Sequence, residues 1–146
     1  MLNALSDRPE VEKLERSVQR LMDRRGQDVE FVVLFGSMAR GDWSWGSDYD
    51  ILVGLRGDDG KRLIDRMYEF SLLVEGSLEV FPYSRSEWQR MFEEFHPLLL
   101  EAFEYGVALW DRGAFGEMRG KFSHWRQTGL VAPWKSGWKI TEPGRG

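Results

Sequence analysis

The residues that stand out chemically are two aspartates separated by one position, Asp48 and Asp50, and a Gly36-Ser37 pair upstream, with ten residues between Ser37 and Asp48. On a strand, residues two apart project from one face, which would set the two carboxylates roughly 6–7 Å apart. Acids so placed at the head of an apolar strand repel each other unless a cation lies between them. The chain has no cysteine, so a cation here would be a hard ion bound by oxygens. Gly36 directly follows an apolar run. At a strand-to-helix turn the backbone N–H groups point outward toward phosphate oxygens; glycine lets the backbone approach, and Ser37 adds a hydroxyl donor. A phosphate turn beside a carboxylate pair suits nucleotidyl transfer: the acids hold Mg²⁺, the metal neutralises a triphosphate, and the turn positions its phosphates. Each half alone has a plainer reading, since Asp and Gly are both common in turns. Their combination carries the chemistry.

These groups must be held by elements the pattern also predicts. Val11, Leu14, Val18, Leu21 and Met22 recur at helical spacing, giving a helix from about Pro9 to Arg25 with Gly26 as its C-cap. Glu30 to Phe35 reads as a buried strand cut by Gly36, Ser37 to Gly41 as a short turn and helix, and Asp42 to Ser47 as a loop. Tyr49 to Leu55 is a second strand, with Tyr49, Ile51 and Val53 facing the core. A helix follows between Lys61 and Val74, with Leu63, Ile64, Met67, Phe70, Leu73 and Val74 inward, and Ser77 to Tyr83 is a third strand. Ser86 opens another helix, with Trp88, Met91 and Phe92 inward. A further helix starts at Pro97 and stops at Gly106. Val107 to Trp110 could add an edge strand, Phe115 to Gln127 is helical, and the tail from Pro133 to Gly146 is irregular. The order is that of one α/β domain.

Composition narrows the class. The 146 residues suit a single domain with one core. Seven Trp and nine Phe predict large aromatic anchors within it. No apolar run approaches the roughly 20 residues that span a bilayer. Asp7 and Glu10 interrupt the start, arguing against a signal peptide; with no cysteine, a cytoplasmic protein is the expectation. The net charge of −4 speaks against an extended nucleic-acid footprint without excluding one. His96 and His124 match no zinc spacing.

Gly36-Ser37, ten residues, then Asp48-Tyr49-Asp50 resembles the G-S-x10-D-x-D signature of the DNA polymerase β-like nucleotidyltransferase superfamily. Leu34-Phe35-Gly36-Ser37-Met38-Ala39-Arg40-Gly41, with Ser47-Asp48-Tyr49-Asp50-Ile51-Leu52-Val53, is similar to its minimal nucleotidyltransferase (MNT) branch. The resemblance runs from about Glu30 to Trp88, and more loosely to Gly106–Asp111. It implies a polymerase β-like palm: a small mixed sheet flanked by helices, with a core at about 9–95, a C-terminal helical extension at about 97–130 and an irregular tail at 131–146. The family places a third carboxylate on a neighbouring strand, and Glu79 is the matching position. By resemblance Glu79 would ligate metal and help deprotonate the attacking hydroxyl, one methylene longer than the commoner Asp. A solvated strand-face charge is the alternative, and Glu75 is a rival by proximity.

Arg40, one short turn beyond Ser37, could grip a triphosphate bidentately or pair with Asp42. Trp43 and Trp45 could stack a base or pin their loop to the core. Lys61 and Arg62 read as solvated, His96 as a helix-start residue and His124 as structural. Trp125, Trp134, Lys135, Trp138 and Lys139 interleave aromatics with bases, either as a contact surface or as an aromatic tail strapped over the domain.

The expected activity is transfer of a nucleoside monophosphate, AMP from ATP, to a hydroxyl. Two Mg²⁺ ions would be held by Asp48, Asp50 and Glu79, and the phosphates by Gly36, Ser37 and Arg40. Minimal members of the family are often paired with a helical HEPN-domain toxin and act as its antitoxin, some by modifying a toxin tyrosine with AMP, so the resemblance implies a protein acceptor. The alternatives are transfer to a small molecule or an RNA end, and a binding module that has lost activity. Exposed aromatics make a homodimer reasonable.

Overall fold

The computed structural model describes residues 5–141. Its centre is a four-stranded mixed sheet in the order β3-β2-β1-β4, made of β1 (Val29–Phe35), β2 (Tyr49–Leu55), β3 (Leu78–Tyr83) and β4 (Val107–Asp111). β1 runs antiparallel to both β2 and β4, while β2 and β3 are parallel. A parallel pair needs a crossover, and α3 (Leu63–Ser71) supplies it. The central strands are buried on both faces, which is why β1 and β2 read as near-continuous apolar runs rather than as alternation. Phe31, Val32, Val33 and Leu34 are all fully buried.

One face of the sheet packs on α1 (Val11–Arg25) and α3: Leu14, Val18, Leu21 and Phe70 meet Val32, Leu34, Tyr49, Ile51 and Val53. The other is covered by α4 (Arg85–Glu93), α5 (Pro97–Tyr105) and α6 (Ala114–Thr128). There Phe31, Val33 and Leu52 join Trp88, Leu99, Phe103, Phe115 and Phe122. The Phe31 ring occupies the space above Gly54, where a Cβ would come within 2.2 Å of it. Gly54 is therefore a packing requirement of the sheet.

Several sequence expectations shift. The tail is not irregular: Val131–Trp134 (β5) and Gly137–Ile140 (β6) form an antiparallel hairpin, while residues 142–146 lie outside the described part. Its turn carries Lys135 at φ 54 in place of the usual Asn-Gly, and Pro133 interrupts β5, so neither hairpin signal is present. Trp138 and Ile140 pack onto the α6 side of the core. Gly26 does cap α1, its N–H donating to the Met22 carbonyl, but with a right-handed backbone that leads into a 3₁₀ turn at Gly26–Asp28. α4 is capped at Ser84, whose N–H donates to Glu87 at 2.8 Å, the reach of a capping box. On α3, Ile64 faces solvent at 63 % exposure, in line with Tyr68 and Leu72. The inward face instead holds Phe70 and Arg66, 1 % exposed, whose guanidinium donates to Asp59, Glu87 and the carbonyls of Pro82 and Lys61. Among the described residues no helix is long and apolar enough to cross a membrane.

Candidate functional site

β1 ends at Phe35, and Gly36 turns the chain at φ 78 into the four-residue helix α2 (Ser37–Arg40). Two features favour glycine here. The left-handed φ disfavours any Cβ, and a Cβ built there would lie 2.5 Å from Oδ2 of Asp50. The backbone of the glycine-serine turn is thus in direct approach to the carboxylate of the next strand. The Gly36 carbonyl accepts from the N–H groups of Ala39 and Arg40 at 3.0 Å each, and Arg8 Nε donates to the Met38 carbonyl at 2.8 Å, fixing α2 from the N-terminal segment.

Asp48 and Asp50 flank a core anchor. Tyr49 is 2 % exposed, and its hydroxyl donates to the Pro9 carbonyl at 2.5 Å. Its side chain points into the α1 side of the sheet, so Asp50 emerges on the opposite side, with Leu52 two residues on. Asp50 is level with Phe35 of β1 and with Glu79 of β3 in the strand register. Asp48 lies just before β2 and is exposed, as is Glu79. Burial, then the nearby charges of Glu79 and of Asp48, push the Asp50 carboxyl up to about 6, against a smaller downward pull from Arg40. Among the described residues no three acidic or histidine side chains already converge as a metal cage. The donor set of carboxylate oxygens nevertheless suits a hard divalent cation, whose charge would offset the mutual repulsion around Asp50.

Arg40 is held by two carboxylates. Its Nε donates to both oxygens of Asp42 at 3.2 Å, and Nη1 donates to Glu101 on α5. The anticipated Asp42 contact is present, and Glu101 joins it. Arg40 also borders an open cleft of about 690 Å³, together with Phe35, Glu101, Tyr105, Lys135 and Trp138. Sequence reasoning missed Glu101, Lys135 as a cleft residue, and Arg8. Glu101 could have been suspected only from its place among the inward residues of α5; its partner is far away in sequence.

The rival Glu75 is engaged elsewhere, accepting from Arg16 Nη2 at 2.7 Å. Trp43 packs against the core, whereas Trp45, edge-on to it at 5.6 Å, is 83 % exposed. His96 caps α5, its Nδ1 accepting from the Leu98 N–H, and His124 is exposed. Lys61 and Arg62 are exposed and pair with Glu69 and Asp65. In the C-terminal segment, Trp125 stacks on Phe92 at 4.9 Å and Trp138 lies edge-on to Phe122. Trp134 instead faces outward beneath Lys139.

Comparison with known proteins gives a family-model match, described as a nucleotidyltransferase domain, over residues 11–96. No curated protein matches the chain. Among solved structures, a toxin–antitoxin with AMP-PNP is similar at 17 % identity and a TM-score of 0.52, over 78 % of this chain and 87 % of that one. A toxin–antitoxin MntA–HpeT mutant is similar at 17 % identity and a TM-score of 0.51, over 78 % and 86 % of the two chains. A candidate nucleotidyltransferase from Sulfolobus solfataricus matches at 26 % identity and a TM-score of 0.43, over 68 % of this chain and 87 % of the other.

Proposed function

The chain belongs to the nucleotidyltransferase domain family, and from that premise we propose that it transfers AMP from ATP to a hydroxyl presented by a partner protein. The observation that carries this reading is the contact between the two halves of the motif. The Asp50 carboxylate lies against Gly36, so a triphosphate on the turn would sit directly beside the acids.

In this reading the N–H groups that open α2, with the Ser37 hydroxyl, receive the terminal phosphates, and Arg40 adds a charged donor. Asp48, Asp50 and Glu79 would hold Mg²⁺, two ions in the full complement, which supplies charge neutralisation at the α-phosphorus and at the departing pyrophosphate. Glu79, exposed at the start of β3, accepts the proton of the acceptor hydroxyl as the new O–P bond forms and pyrophosphate leaves. The acceptor is proposed to be a side-chain hydroxyl of a HEPN-type toxin, which would make this chain its antitoxin. The motif resemblance supports that pairing, and solved toxin–antitoxins share the fold.

Incubation with α-labelled ATP, Mg²⁺ and a HEPN-type partner should label the partner, and Asp48→Asn or Asp50→Asn should abolish labelling. Absence of nucleotide binding, with no transfer to any acceptor, would overturn the enzyme reading. A second reading rests on Glu79, one methylene longer than the acid the motif resemblance calls for: a module that neutralises its partner by binding alone. Neutralisation that survives both substitutions would select it.

A further inference from the structure

The sequence signature ends at β2, yet the arginine that follows its glycine-serine turn is held from outside it. Arg40 closes α2, and sixty-one positions later Glu101 projects from α5 to accept from its Nη1. Asp42 takes the Nε edge with both oxygens. The arginine side chain is one-third exposed and that of Glu101 24 % exposed. Among the described residues no acceptor hydrogen-bonds to Nη2. One nitrogen of the fork is therefore left for a ligand, on a side chain that lines the cleft beside the turn.

We infer that Glu101 is a positioning residue: by holding Nη1 of Arg40 it orients the guanidinium, with Nη2 available, toward the phosphates of the nucleotide. The inference rests on the nucleotidyl-transfer reading above. Its physical basis is pre-organisation. A free arginine loses much rotamer freedom when it grips a ligand, and a tether that has already removed that freedom leaves more of the interaction as affinity. Asp42 alone cannot do this, since it lies on the exposed loop that follows α2 and has no anchor of its own in the core. α5 is anchored in the core through Leu99, Leu100, Ala102 and Phe103, so Glu101 is a fixed point. Through this contact the C-terminal helices act on a motif with which they share no strand.

Calorimetric titration of Mg²⁺–ATP and of inorganic tripolyphosphate, with steady-state kinetics, tests it. Glu101→Ala should weaken both ligands roughly tenfold and raise KM for ATP, leaving kcat at saturating ATP within about twofold. Glu101→Gln, which retains an acceptor, should recover a large part of the loss. In an Arg40→Ala background, Glu101→Ala should have no further effect. A role in stability alone would lower the melting temperature of Glu101→Ala without this coupling. Tighter ATP binding by Glu101→Ala would show a latch that competes with phosphate, and unchanged binding would show no role; either overturns the inference. Failure of the wild-type chain to bind ATP would overturn the nucleotidyl-transfer reading itself.

Discussion

At the scale of single residues, Asp50 concentrates the site's electrostatics. Its carboxyl, raised to about 6 from 3.8 by burial and by Glu79 and Asp48, binds a proton more tightly folded than unfolded. Between those two values the folded state therefore holds more protons, and without metal, stability falls as pH rises from about 4 to 6. Asp50→Asn removes this dependence. It should raise metal-free stability at pH 7 by about 1 kcal/mol, the half-exposed position screening the full linkage value, while transfer falls at least ~100-fold. Urea denaturation across pH measures the first effect and product formation the second. Gly36→Ala should act differently: the left-handed φ and the 2.5 Å approach to Asp50 predict about 1–3 kcal/mol of destabilisation together with loss of nucleotide binding. The two variants separate charge from shape at one contact.

At the scale of elements, α3 inverts the usual arrangement. It turns Arg66 inward and leaves Ile64 and Tyr68, with Leu72 just past its end, at 63, 67 and 65 % exposure. Arg66 links the loop after β2, the end of β3 and the start of α4 through Asp59, Pro82 and Glu87. Against the upward push of burial, hydrogen bonds from Arg66, and for Glu87 also from Ser84, hold both carboxyls below their ordinary range. That contribution is fully present above the ordinary carboxylate range and is lost as pH falls through and below it, the opposite sign from Asp50. Arg66→Ala should cost about 3–5 kcal/mol in chemical denaturation, since it leaves acids and carbonyls without their donor. Arg66→Lys should recover little, because an ammonium cannot reach four acceptors in a planar fork. Ile64→Ser, although it removes a large aliphatic group, should change stability by less than about 0.5 kcal/mol.

At the scale of the whole molecule, the carboxylates and the cleft share the α4–α5–α6 side of the sheet, and the C-terminal hairpin forms the cleft's far wall. Mg²⁺ should raise the melting temperature in a concentration-dependent way by binding the folded state. The shift should vanish in Asp50→Asn and persist in Trp138→Ala, a cleft-wall change expected to cost about 1–2 kcal/mol of packing. A thermal-shift titration of the three proteins checks all of these. Equal Mg²⁺ shifts in wild type and Asp50→Asn would place the cation elsewhere.

The motif, the strands and the helices were readable because each depends on local order: alternation, helical spacing, a glycine after an apolar run. Asp50 and Gly36 could be singled out by type and spacing, since a strand fixes which face a residue takes and a tight turn demands glycine. Other features depend on contacts between residues remote in sequence, for which spacing holds no signal. Tertiary packing alone decided that Glu79 stands level with Asp50 across a parallel pair, that Glu75 is taken up by Arg16, and that α3 buries an arginine while exposing an isoleucine. It also folded the tail into a hairpin without a standard turn sequence, because the apolar wall around Phe122 gave Trp138 and Ile140 somewhere to pack. The contact of Glu101 with Arg40 is of this second kind. The sequence by itself determined which chemistry the chain carries, through residues a few positions apart; only the fold decided what surrounds that chemistry, because its neighbours come from the far end of the chain.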